Sequence, residues 1–129
     1  MSEKFTVEII TPERLILKSE VSEVTIPSYE GQMGILKDHI PLITFLRPGL
    51  IIIQGNEEKK YYVEEGTVEF LNNSLLILTS TAKELASLDK NFLDNILSEA
   101  EKKFSNNEIT DKEKYLLSYK INTIKEISR

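Results

Sequence analysis

The 129-residue sequence has no cysteine and no tryptophan, and only one histidine. Without cysteine there is no disulfide, no thiolate zinc site and no cysteine nucleophile. With a single histidine, His39, any Ser-His-Asp triad must use that residue as its base, and any metal site must be built from carboxylates, which are scattered without ligand spacing. Long apolar runs are missing too. The longest are four residues, Leu50 to Ile53 and Leu75 to Leu78, whereas a bilayer-spanning helix needs roughly 20. The start of the chain moves directly into alternating sequence with no apolar h-region, so the expectation is an unprocessed, intracellular chain with no direct membrane insertion. Basic residues are outnumbered, 16 against 21, and form no cluster, which argues against nucleic acid and anionic lipid as partners.

What is present falls into two parts. All four prolines and all five glycines lie within the first 66 residues, between short segments of period-two alternation such as Phe5, Val7, Ile9 and Val24-Thr25-Ile26. Gln54 to Glu58 is a polar loop of hairpin length. Asn72-Asn73, tolerant of positive φ, predicts a tight hairpin between Val68–Leu71 and Leu75–Leu78. Eight or more short antiparallel strands in this stretch point to a β-sandwich or barrel.

After Ser80 the spacing becomes helical. Leu88, Phe92, Leu93, Ile96, Leu97 and Ala100 share one face of a first helix that ends near Phe104. Thr110-Asp111-Lys112-Glu113 is a capping box for a second helix, with the stripe Leu117, Ile121, Ile124 and Ile127. Residues 1 to 86 carry 8 basic and 13 acidic side chains, and 87 to 129 carry 8 of each. The fold class is therefore α+β, an antiparallel sandwich over 1–85 followed by an antiparallel two-helix hairpin over 86–129. Two short helices cannot hide both stripes against each other, so the hairpin must lean on the sandwich or on a partner.

Candidate chemistry is sparse. Asp38 is adjacent to His39 and, in a strand, would point to the opposite face, so it is a poor orienter for a catalytic imidazole. The acidic pairs Glu57-Glu58 and Glu64-Glu65 read as solvated strand edges for the same reason. Gly31-Gln32-Met33-Gly34 has the spacing of a GxxG loop but lacks basic neighbours. Its glycines read as permitting a tight bend, with Met33, Ile35 and Leu36 as core.

Longer stretches carry a resemblance. Pro27 to Leu42 supplies every fixed letter of P-x-x-E-G-x-x-G-I-L-x-x-H-x-P-L; Leu46-Arg47-Pro48-Gly49, Gly66 to Phe70 and Thr81-Ala82 follow in order. These resemble the epsilon subunit of bacterial F-type ATP synthases over residues 5 to 85. The resemblance implies a non-catalytic subunit of the central rotor stalk, linking the gamma subunit to the c ring in proton-driven ATP synthesis. Its place would be the cytoplasmic face of the bacterial plasma (inner) membrane, as a peripheral part of the complex. It further implies that the loop with Ser28, Glu30, Gly31 and Gln32 faces the c ring, and that Met33 and His39 face gamma. Leu88, Asp89 and Phe92 would belong to a regulatory hairpin that reaches the alpha and beta subunits and inhibits ATP hydrolysis. Some relatives bind ATP there through I/L-D-x-x-R-A. Here Phe92-Leu93 replaces the Arg-Ala, removing the guanidinium that would hold a phosphate, so no cofactor is expected. The alternative from another class is a small β-sandwich ligand-binding or hydrolytic domain with a helical appendage.

Overall fold

The computed structural model describes residues 3–128; Met1 and Ser2, where an unprocessed start was expected, and Arg129, the only arginine of the hairpin, lie outside them. Ten strands come first: β1 (Phe5–Ile10), β2 (Leu15–Val21), β3 (Glu23–Ser28), β4 (Gly31–Leu36), β5 (Leu42–Leu46), β6 (Gly49–Gln54), β7 (Glu58–Val63), β8 (Gly66–Leu71), β9 (Ser74–Leu78) and β10 (Ala82–Glu84). A single 3-10 turn, Leu85–Ser87, leads to α1 (Lys90–Phe104) and α2 (Asp111–Ile127).

Hydrogen bonding runs continuously in the order β10-β7-β6-β3-β5-β8-β9-β1-β2, with β4 paired to β3. The two halves of this path meet at one register pair, Ser28 with Leu46, so β3 pairs with β6 along its first half and touches β5 only at its end. That corner lets the sheet fold over itself into two layers. Phe5, Val7 and Ile9 of β1, Val24 and Ile26 of β3, Ile51 and Ile53 of β6, Val68 and Phe70 of β8, and Leu75 and Ile77 of β9 fill the space between. The alternation in the sequence is this inward file.

One pairing departs from the antiparallel expectation: β1 runs parallel to β9, Thr6 opposite Ser74 through Ile10 opposite Leu78. No hairpin joins these two strands, so no turn dictates their sense. The Asn72-Asn73 turn is as expected, with φ of 51° and 59°. Leu36, expected in the core, is exposed at the last position of β4. Gly34 lies inside β4, in an ordinary extended ladder position opposite Thr25, so the tight bend is the work of Gly31 alone.

The helices start on side-chain caps. Asp89 accepts from Phe92 N at 2.7 Å, and Thr110 and Glu113 complete the reciprocal box, each side chain bonded to the other's backbone at 3.1 Å. The hairpin leans on the sandwich. Ile124 and Leu93 are buried against Tyr62 of β7, flanked by Leu50, Leu88, Phe92, Ile96, Leu97 and Ile127. Leu117 and Ile121 stay half-buried. The Glu64-Glu65 pair lies in the turn between β7 and β8 rather than on a strand edge, with Glu64 half-buried and Glu65 exposed. Glu64 accepts from Tyr62 Oη at 3.0 Å and pairs with Lys120 of α2 at 3.1 Å, while Glu65 accepts from both the amide and the hydroxyl of Ser80.

Candidate functional site

The outer face of the β5-β8-β9-β1 layer should be polar if water covers it, because strand residues alternate between core and solvent. It carries large apolar side chains instead, set among Thr67, Glu69 and Glu8. Register places Phe45 beside Thr67, Thr67 beside Leu78 and Leu78 beside Ile10; the next row is Ile43, Glu69, Leu76 and Glu8. Ile43 is 74% exposed, Phe45 57% and Leu78 44%. An open groove of about 770 Å³ crosses this face, lined by Ile10, Tyr29, Phe45 and Leu78 together with Glu65 and Lys112. Large apolar side chains exposed together and rimmed by polar ones are the composition of a protein contact.

His39 borders the same layer, outside any strand. It follows the turn at Lys37-Asp38, so the strand argument against Asp38 does not apply; Asp38 is occupied elsewhere, its carboxylate taking a hydrogen bond from Asn73 Nδ2 at 2.9 Å. His39 Nδ1 lies 2.7 Å from Ile40 O, and the ring stands edge-on to Phe70, centroids 5.8 Å apart. Met33, expected on the same surface, is half-buried against the core from β4.

The β3–β4 turn has Tyr29 and Glu30 at its tip, closed by the pair Ser28 and Gly31. Gly31 has φ of 125°, a conformation side chains resist. Ser28, expected among the partner-facing residues, is wholly buried. Its hydroxyl oxygen accepts from Glu30 N at 2.9 Å, so it braces the turn from within and presents Glu30 rather than itself. Glu30 and Gln32 are exposed and available.

Tyr29 was not anticipated. Its carbonyl accepts from Tyr115 Oη of α2 at 3.1 Å, and the two rings meet edge to face with centroids 6.2 Å apart. Tyr119, one helical turn on, packs against Tyr115 at 4.9 Å and carries the Arg47 guanidinium 3.8 Å above its ring. This latch fastens α2 to the turn and to the β5–β6 connection. The four-residue spacing of Tyr115 and Tyr119 was its only signal in the sequence.

The hairpin residues singled out by motif have structural tasks here. Leu88 and Phe92 join the apolar cluster under the hairpin, Lys83 Nζ lies 5.2 Å from the Phe92 ring, and Asp89 caps α1. Tyr62 beneath them has its phenol pushed far above the ordinary range by burial first, then by the charge of Glu64 and the hydrogen bond to it. Among the described residues no helix is long and apolar enough to cross a membrane.

Residues 4–85 match the β-sandwich domain family of the ATP synthase delta/epsilon chain. The ATP synthase epsilon chain of Pelagibacter ubique (strain HTCC1062) is 47% identical over 99% of this chain and 100% of its own length. That of Parvibaculum lavamentivorans is 33% identical over 98% of this chain and 97% of its own. Among solved structures, a chain of the Euglena gracilis mitochondrial ATP synthase (OSCP/F1/c-ring) aligns with TM-score 0.82 at 22% identity, covering 98% of this chain and 82% of that one. A chain of the Tetrahymena thermophila mitochondrial ATP synthase central stalk and c ring aligns at 0.68 and 16%, covering 99% and 98%; both share the fold. With a family match across the whole sandwich and relatives alike from end to end, the chain belongs to the ATP synthase epsilon chain family.

Proposed function

We infer that this chain works as a non-catalytic subunit of the central rotor stalk of an F-type ATP synthase, joining the gamma subunit to the c ring. The observation that carries this is the apolar outer face with Ile43, Phe45 and Leu78, a surface that a freely dissolved protein has no reason to keep and a stalk partner would cover. In this reading the face, with His39 and Ile40 at its border, receives gamma, and Met33 backs it from the core. Glu30 and Gln32 on the braced turn meet the polar loops of the c ring. Residues 1–85 form the rotor-docking unit and 86–129 a regulatory hairpin, which packs on Tyr62 of the sandwich and, when released, would reach the alpha and beta subunits and inhibit hydrolysis. The complex would lie at the cytoplasmic face of the bacterial inner membrane.

The test is co-purification. A tagged chain extracted from its own membranes in mild detergent should bring alpha, beta, gamma and c subunits in stoichiometric amount. Ile43→Lys with Phe45→Lys places two charges where a partner must desolvate them, on side chains already in water in the free chain, and the lysine at 43 faces the Glu69 carboxylate across the strand pair rather than a like charge. The double variant should keep its melting temperature and lose gamma. Recovery of gamma equal to wild type, or no synthase subunits with the wild type, overturns the reading.

A further inference from the structure

Most of the apolar face is held by strand ladders, which fix Ile43, Phe45 and Leu78 through backbone hydrogen bonds on regular elements. The segment Lys37–Ile40 has no ladder, yet it carries His39 and Ile40, the latter 74% exposed. Asp38 turns the chain there with φ of 65°, a conformation that costs a residue with a Cβ about 1 kcal/mol or more. The turn brings His39 N to Leu36 O at 3.1 Å.

Its support comes from a segment far off in sequence. Asp38 N donates to Asn73 Oδ1 at 2.6 Å, and Asn73 Nδ2 donates to Asp38 Oδ1 at 2.9 Å. Asn73 is itself fixed, by its own left-handed turn and by Thr6 N donating to its carbonyl at 3.1 Å. Both clasp bonds lie in solvent, where their net contribution to folding is small. Their effect is geometric: one side chain of the β8–β9 turn satisfies both the amide and the carboxylate of the residue that aims His39 and Ile40.

We propose that Asp38 and Asn73 are positioning residues, a reciprocal clasp that pre-orders the His39-Ile40 corner of the docking face for its stalk partner. The clasp replaces the missing ladder, so the corner is ordered before binding and less conformational entropy is lost on association. The partner's identity as gamma rests on the rotor reading above; the ordering of the corner does not.

Asn73→Gly separates presentation from folding. Glycine suits the left-handed second position of this two-residue turn at least as well as asparagine, so the hairpin and the melting temperature should hold while the clasp disappears. Backbone 15N relaxation on the full free chain should show order parameters for residues 37 to 40 falling from about 0.85 toward 0.6, with the strands unchanged. Affinity for the isolated gamma subunit, by titration calorimetry, should weaken about three- to tenfold. Asn73→Asp sets two carboxylates face to face and should weaken binding as well. Adding Asp38→Asn restores a complementary amide and carboxylate and should recover it. Unchanged order at 37 to 40 in Asn73→Gly, or no recovery in the swapped pair, overturns the clasp. Failure of the wild type to bind gamma overturns the rotor reading instead, and the relaxation data still decide the clasp.

Discussion

Ile124 is fully buried between Tyr62 and Leu93, in a cluster separate from the sandwich core. Ile124→Ala removes three carbons at about 0.8 kcal/mol each, roughly 2.4 kcal/mol of transfer free energy. A residual cavity brings the loss to about 3 kcal/mol, within the range for such truncations. Because the side chain belongs to the hairpin interface, the loss should fall on hairpin docking and leave the sandwich alone. Three kcal/mol is about a hundredfold in the docking equilibrium. Native-state amide exchange on the full chain measures this residue by residue. Amides of α1 and α2 facing the interface should exchange about a hundredfold faster, while Val7 and Ile77 in the sandwich core keep wild-type rates. If core amides accelerate in step with the helices, hairpin and sandwich are one cooperative unit and the reasoning fails. If the helices do not respond, the interface is held by something other than this cluster.

Gly66→Ala should cost the sandwich more than 2 kcal/mol, read as a lower urea midpoint. A Cβ there would sit 2.5 Å from Leu78 O, and φ is 155°, so both space and backbone resist it. Alkaline pH should loosen the hairpin through Tyr62. The phenol binds its proton more tightly folded than unfolded, so its contribution is complete below the unfolded pKa of about 10 and is lost as pH rises beyond it. Urea midpoints between pH 8 and 11 should therefore fall more steeply for wild type than for Tyr62→Phe, and equal slopes would contradict the assignment.

The inward files of β1 and β3 were plain in the sequence because period-two alternation reports a buried face directly, and both helices announced themselves through spacing, the second also through its capping box. The docking face was harder. Ile43 and Phe45 interrupt no rule for a strand, and Leu75 to Leu78 reads as a buried run although Leu78 points outward. An apolar residue facing solvent looks the same in sequence as one facing core; the excess of apolar positions over one inward file was the signal. Ser28 was misplaced because a motif gives proximity to a loop tip without saying which side chains turn inward. The tyrosine latch and the Asp38-Asn73 clasp join segments with no sequence relation, and only the fold brings them together.

The parallel seat of β1 against β9 sets an order in time. During synthesis β1 can pair with β2 at once, but its other edge stays bare until the chain through Leu78 has emerged, since Thr6 through Ile10 wait for Ser74 through Leu78. Such distant pairing slows folding, and an unpaired apolar strand edge is a template for foreign strands. The nascent chain is thus most exposed to aggregation in the interval between β2 and β9, before either helix exists. Its hazards should track the rate of translation through that stretch more closely than the stability of the finished protein.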